Sequence, residues 1–269
     1  MKPIIAAAAL MFSGALAVHA QSTAGTKFTA PSPDASVPKT VNQYLNGPIF
    51  RDISKKSGIF HNGHGKITQM VDVNKDGLLD VYLGVVYGRN KLFLNEGGLV
   101  FHEITESNGI DCPGDTHGVA AADFNNDGNI DLFVANNPED LTILRGTNVN
   151  QPNMFYAGND EGFIESAVKA GVSGKTPNYS CGVTTADLNG DGFLDLFIAK
   201  GAYRLGPDCA NSLFIDTGDG AFRDTAKEAG LADEGGGYCC AFCDYDNDGD
   251  FDLFVGNLDE GGTGARHLY

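Results

Sequence analysis

The sequence predicts an all-β protein of four-stranded blades, a β-propeller, and three observations predict it. A nonapeptide of consensus D-x-[DN]-x-D-G-x-[LIF]-D occurs four times, at residues 72–80, 123–131, 187–195 and 244–252, with intervals of 51, 64 and 57 residues. A second pattern also occurs four times: Phe50, Phe101, Phe163 and Phe222, each with an acid two residues on and a glycine eight on. The third is an aliphatic-aromatic pair, Leu92-Phe93, Met154-Phe155, Leu213-Phe214 and Leu268-Tyr269. Three signals recurring in one order are the mark of a repeat architecture.

Each element follows from these spacings. Short apolar runs follow every acidic loop (Val81 to Leu83, Leu132 to Val134, Leu196 to Ile198, Leu253 to Val255), as expected of strands buried on both faces. Extended stretches precede the loops, as in residues 118–122 and 182–186. With the aromatic pair and the Phe segment this makes four strands per repeat, the content of one propeller blade. From the motif glycine to the next loop the distance is 14, 14, 16 and 14 residues, whereas from the loop to the aromatic pair it is 20, 31, 26 and 24. Insertions therefore collect in one connection per blade. Helical periodicity is confined to residues 167–170 and 226–229, which argues against a strand-and-helix solenoid. Four repeats make either a closed four-bladed ring, with the Phe50 segment completing the last blade, or an arc of a larger propeller.

Composition narrows the function. The chain has 269 residues, 36 of them glycine, and 35 acidic against 18 basic side chains for a net charge of −17. Nucleic acid is excluded as a partner, because phosphate binding relies on clustered Lys and Arg. Residues 1–20 read as a signal peptide: Lys2, an apolar stretch from Ile4 to Ala17, and a small-residue cleavage site ending at Ala20. Residues 21–47, rich in Ser, Thr, Pro and Gly, read as a flexible leader, and residues 48–269 as the propeller. The expectation is an exported chain, secreted or periplasmic, that does not insert in a membrane once the signal is removed.

The acidic loops carry the chemistry. Oxygen side chains at positions 1, 3, 5 and 9, a glycine at 6 for the sharp turn and a backbone carbonyl at 7 form a hard-oxygen cage suited to Ca²⁺. The predicted ligands are Asp72, Asn74, Asp76, Leu78 and Asp80; Asp123, Asn125, Asp127, Asn129 and Asp131; Asp187, Asn189, Asp191, Phe193 and Asp195; and Asp244, Asp246, Asp248, Asp250 and Asp252, for up to four ions. An EF-hand is excluded, since its position 12 requires Glu and this chain has Leu83, Val134, Ile198 and Val255. A metal-free Asp-Gly turn would not need carboxylates at 1, 5 and 9 in every copy. Loop four, with five acids, should bind most tightly, and loop one, with Lys75, most weakly.

These loops, each inside a four-strand repeat with an F-x-[DE]…G ending, resemble the FG-GAP/VCBS repeats of integrin α-subunit propellers, closest to the branch related to cartilage acidic protein. The resemblance covers residues 48–269. It implies a calcium-dependent extracellular propeller that acts in adhesion or recognition of a protein or glycan.

Six cysteines in an exported chain suggest disulfides, with Cys181 to Cys209 the preferred pair. Cys240 and Cys243 spell C-x-x-C but fall in a predicted strand, which points to packing rather than redox work. No nucleophile-elbow, zincin or phosphate-cradle motif is present, so no enzymatic activity is expected. The alternative is a propeller lyase or hydrolase acting on polysaccharide, using His61, His64 or His117 with Tyr203 and Arg204. On the binding reading, residues 136–152 and 201–210 form the recognition surface, and Asn178 opens a glycosylation sequon.

Overall fold

The computed structural model describes residues 52–86, 88–110, 112, 115–137, 152–174, 179–201, 209–234, 236–258 and 266–269. The expected signal peptide, leader, Phe50, Asn178, Tyr203 and Arg204 lie outside the described residues, as do 138–151 and 202–208 of the expected recognition loops.

Four antiparallel sheets follow one another along the chain. Blade one comprises β1 (His64–Val71), β2 (Asp80–Val86), β3 (Lys91–Asn95) and β4 (Phe101–Glu103). Blade two comprises β5 (Thr116–Ala122), β6 (Asp131–Asn136), β7 (Met154–Asn159) and β8 (Gly162–Glu165). In blade three the strands are β9 (Ser180–Ala186), β10 (Asp195–Lys200), β11 (Ser212–Asp216) and β12 (Phe222–Asp224). Blade four holds β13 (Gly237–Cys243), β14 (Asp252–Asn257) and β15 (Arg266–Leu268) among the described residues. Spatial order equals chain order in every sheet, so each blade is a meander.

The first strands of successive blades pack on one another, β1 on β5, β5 on β9 and β9 on β13, which puts them innermost. Glycine makes this approach feasible: a Cβ at Gly118 would lie 2.2 Å from the Cys181 carbonyl oxygen, and one at Gly182 would lie 2.8 Å from Cys239 Cα. Apolar side chains fill the seams. Tyr82, Leu92, Leu132 and Tyr156 pack between blades one and two. Phe124, Phe155 and Phe222, with ring centroids 5.7–5.8 Å apart, anchor the seam between blades two and three. Phe197, Leu213, Leu253 and Val255 join blades three and four. Among the described residues no such cluster joins blade four to blade one, so the four blades form an arc.

The consequence shows in burial. The strand after the loop is buried on both faces in blade two, as the sequence predicts, but β14 alternates, with Leu253 and Val255 buried and Phe254 exposed. An outer blade face without a neighbour turns a doubly buried strand into a half-buried one.

The second motif is the joint between blades. Its acid accepts a hydrogen bond from the N–H two residues on: Asp52 from Ser54 at 2.9 Å, Glu165 from Ala167 at 2.8 Å and Asp224 from Ala226 at 3.0 Å. A single helical turn follows, as in α1 (Ser54–Ser57) and α2 (Ala167–Ala170), and the motif glycine ends it in the left-handed region, with φ of 87° at Gly58 and 79° at Gly171. The turn then seats on the outer strand of the next blade, where a Cβ on Gly58 or Gly109 would lie 2.6 or 2.4 Å from the carbonyl oxygen of Phe101 or Phe163.

Two expectations are corrected. The pair in blade two is Phe155-Tyr156 rather than Met154-Phe155. Leu132, the first residue after its loop's last Asp, pairs with Tyr156, just as Val81 pairs with Phe93 and Leu196 with Phe214. The β7–β8 hairpin is one residue shorter than its counterparts, which kept the eight-residue count to Phe163 intact. Cys181 and Cys209 are buried thiols rather than halves of one disulfide, and Cys181 Sγ meets the Asn137 amide nitrogen at 2.8 Å.

Candidate functional site

All four acidic loops join the first and second strands of a blade and so lie at one end of the arc. Their backbone is set by their own side chains. In loop one, Asp72 accepts from the N–H of Asp76 at 3.1 Å and of Gly77 at 2.8 Å, Asn74 Oδ1 accepts from Asp76 N, and Asp76 accepts from Leu78 N at 2.8 Å. Loop two repeats the set with Asp123, Asn125, Asp127 and Asn129, and loop three with Asp187, Asn189, Asp191 and Phe193. In loop four it runs through Asp244, Asp246, Asp248 and Asp250. Positions 4 and 6 take left-handed φ in every loop: 63° at Lys75 and 87° at Gly77, 55° at Asn126 and 88° at Gly128, 74° at Gly190 and 90° at Gly192, 62° at Asn247 and 101° at Gly249. The first five positions therefore curl into one turn with their oxygen side chains on its inside.

Position 3 separates the loops. Asn74, Asn125 and Asn189 each donate an amide hydrogen to the position-5 carboxylate, at 2.8–3.0 Å. Asp246 in loop four has no hydrogen to give, and carboxylate oxygens of Asp244, Asp246 and Asp252 lie within 4.8 Å of one another. Three like charges at that spacing repel unless a cation sits among them.

Position 9 carries a task that pattern reading missed. Asp131 is buried; its Oδ2 accepts from Phe124 N at 3.1 Å and its Oδ1 from Gly158 N at 2.8 Å, bracing the loop against β7. Asp80 accepts likewise from Val73 and Asn95, and Asp195 from Leu188 and Asp216. Burial pushes the Asp131 carboxyl up to about 6 despite these two bonds, and pushes Asp80 and Asp195 in the same direction. Asp252 is less buried and accepts from Tyr245 N at 2.9 Å. The invariance of the ninth position thus has a structural cause beside any ligating one.

Lys75 does not cover its own loop. Its ammonium reaches across the seam to Asp160, 3.8 Å away in the β7–β8 hairpin. Beneath that bridge is a cleft of about 270 Å³ between blades one and two, whose lining includes Asn74, Asn108, Asn129, Asn159 and Glu161. The amides and carboxylate are hydrogen-bonding groups of both signs, facing solvent in a polar trough.

The expected histidines sit at the other end of the blades. His64 opens β1 and His117 lies in β5, with Lys66 Nζ 2.9 Å from His117 Nδ1 and 3.0 Å from Nε2. Of the C-x-x-C pair, Cys240 is buried and Cys243 exposed on the opposite side of β13, as a strand requires. Among the described residues no helix is long and apolar enough to cross a membrane.

Comparison with known proteins agrees with this architecture. The FG-GAP-like repeat family profile matches residues 72–134 and 187–255, which contain all four acidic loops. Cartilage acidic protein 1 of Xenopus tropicalis is 30% identical over 176 residues, spanning 63% of this chain and 26% of that protein. The mouse and human proteins of that name are each 28% identical over 211 residues, spanning 76% of this chain and 30% of theirs. The chain thus spans less than a third of the length of these curated relatives. Among solved structures, a lectin from Agrocybe aegerita that recognises non-reducing terminal N-acetylglucosamine aligns with 82% of this chain and 55% of its own, at 16% identity and a TM-score of 0.41. The V. cholerae biofilm matrix protein Bap1 aligns with 72% and 35%, at 16% identity and a TM-score of 0.35. Four meander blades, each with the same acidic loop between its first two strands, and the family match over those loops make this chain a member of the FG-GAP-repeat β-propeller proteins.

Proposed function

We propose that the chain is a calcium-stabilised propeller segment of an exported protein that recognises an extracellular protein or glycan. The convergence of carboxylate oxygens at Asp244, Asp246 and Asp252, in a loop whose hydrogen-bond pattern recurs in the other three blades, carries the calcium part. Hard carboxylate and carbonyl oxygens in a flexible turn suit Ca²⁺, whereas Mg²⁺ keeps its waters and demands near-ideal octahedral geometry. The positions that would hold the ion are 1, 3, 5 and 9 of each loop, with the carbonyl of position 7. Bound there, Ca²⁺ would supply the positive charge that the crowded carboxylates lack, and this chain's residues would do the rest by fixing the loop.

The recognition part rests on the polar inter-blade cleft and on the long connections at the opposite end, of which Asn136, Asn137, Pro152, Gly201, Cys209 and Ala210 are described residues. Side-chain amides that both donate and accept match vicinal hydroxyls or peptide groups. The signal peptide expected at residues 1–20 supports recognition outside the cytoplasm.

Two measurements test the reading. Calorimetric titration of the chelator-treated chain with CaCl₂ should show binding, with loss on replacing Asp244 and Asp248 by Asn confined to loop four. A glycan array and a binding screen against extracellular-matrix proteins should show calcium-dependent retention without product formation. Heat-free titrations with an unchanged melting temperature would overturn the calcium reading, and turnover of a retained glycan would replace recognition by catalysis.

A further inference from the structure

The four Phe motifs are controls for one another. The first and fifth residues after the phenylalanine are Arg51 and Lys55, His102 and Glu106, Ile164 and Val168, Arg223 and Lys227. Three copies carry polar or charged side chains at both places, and the copy that ends blade two carries aliphatic ones. Burial does not explain the exception. Val168 is 80% exposed and Ile164 62%, the two highest values for large apolar side chains among the described residues. Single apolar residues scattered over a surface are ordinary, but these two wall one concavity. It is a trough of about 600 Å³ bounded by Asn125 and Asp127 of loop two, the end of β7 and the joint from β8 into α2. Asn159 lines both this trough and the polar cleft, so the two hollows meet at the β7–β8 hairpin.

We propose that the trough is the docking site for an extended peptide segment of a protein partner, in which an aliphatic side chain neighbours a lysine or arginine; this rests on the protein-recognition reading above and gives it a surface. Desolvation of Ile164 and Val168 by the apolar side chain supplies affinity. Charge selects its neighbour. The lining sets the carboxylates of Asp127 and Glu165 against one ammonium, Lys169, on a chain whose net charge is −17. Lys169 also interacts electrostatically with Asp219 in the β11–β12 hairpin. Glu165 is exposed, and its Oε1 accepts from Ala167 N at 2.8 Å, which leaves Oε2 to a donor from outside. A carboxylate oriented by its own backbone is ready for a guanidinium or ammonium. It lies outside the ligand set of loop two, so calcium does not compete for it.

Other occupants match this chemistry less well. A second copy would bring the same acids into opposition, and an anionic membrane surface would be repelled. A sugar ring would find no aromatic face among the lining residues.

The test applies the chain, in CaCl₂, to a synthetic array of octapeptides whose central pair is Leu-Arg, Leu-Lys, Leu-Glu, Leu-Ser or Ser-Arg in varied flanking sequence. Fluorescence polarisation then ranks the retained peptides, and those with Leu-Arg or Leu-Lys should bind most tightly. Val168→Lys and Ile164→Arg install the residues that blade three carries at the equivalent places, so the fold should accept them. Each should weaken binding at least about tenfold. Glu165→Gln keeps the acceptor for Ala167 N and should cut the preference for Leu-Arg over Leu-Ser about threefold, as expected of an exposed ion pair. Retention indifferent to the basic residue, or binding that survives both wall substitutions in protein with the parent's circular dichroism, would overturn the proposal. A dimer in sedimentation that Val168→Lys dissolves would overturn it too, by making a second copy the occupant. No retention on the array beside capture of a matrix protein in the screen above removes the trough and keeps the recognition reading; failure of both removes the reading as well.

Discussion

Replacing Asp123 by Asn separates the structural from the ligating work of an acidic loop. In the structure Asp123 Oδ1 takes the N–H of Asp127 at 3.0 Å and Oδ2 that of Gly128 at 2.8 Å. Asparagine keeps the first acceptor and loses the second, at the surface, where water can replace it. The cost in chelator should be at the low end of the range for one hydrogen bond, about 0.5–1 kcal/mol. In calcium the balance changes, because a ligand at one hundred times its Kd stabilises the folded chain by about 2.7 kcal/mol per site. For a domain of this size 1 kcal/mol moves Tm by about 2–4 °C, so one saturated loop is worth about 5–10 °C. Differential scanning fluorimetry of parent and variant, each in chelator and in excess CaCl₂, reads both terms. The variant should melt within about 4 °C of the parent in chelator and about 5–10 °C further below it in calcium. An equal calcium-induced rise in the two proteins would refute the assignment of Asp123 as a ligand, and no rise in either would refute calcium stabilisation itself.

Three further outcomes follow. Asp131→Ala leaves the buried N–H groups of Phe124 and Gly158 without their acceptor, so even in chelator it should lower stability by about 2–4 kcal/mol, reduced by relief of a charge that burial opposes; urea unfolding measures it. Gly118→Ala puts a methyl 2.2 Å from the Cys181 carbonyl oxygen and should cost about 1–3 kcal/mol or more, whereas Ala at Gly128, where the added carbon meets nothing, should cost about 1 kcal/mol from its left-handed φ alone. Isothermal titration of loop variants should rank loop four tightest, and Lys75→Asn should tighten loop one only slightly, because the ammonium already leans on Asp160.

The repeat was legible because each motif has a local cause. The glycine of the Phe motif stops a turn at positive φ, the acid caps that turn, and the loop's Asp and Asn residues bond their own backbone. What resisted reading depends on partners distant in sequence. The second task of Asp131 depends on Gly158, 27 positions away. At Met154 sequence spacing gives the wrong register because a hairpin can lose a residue without changing its apolar pattern, and only strand pairing reveals it. Cys181 and Cys209 share a blade, which makes them the preferred pair in sequence, yet the side chains that contact Cys181, His117 and Asn137, stand on blade two. Lys66, which reaches the His117 ring, carried no signal at all, since the bulge that holds it between Gly65 and Ile67 is invisible in a sequence whose strand has no strict alternation.

The glycine-lined contact between successive inner strands, repeated from blade to blade, makes cooperativity directional. The inner blades are held through two flat faces and the end blades through one, and each exchanges energy with its neighbours alone, so the array behaves as a short linear chain of coupled units. Amide hydrogens of β6 and β10, sealed on both sides, should be the last to exchange with deuterium, and those of β14, with Phe254 in solvent, among the first. Opening then spreads inward as a front from a blade with one covered face, rather than as a single collapse of the whole arc.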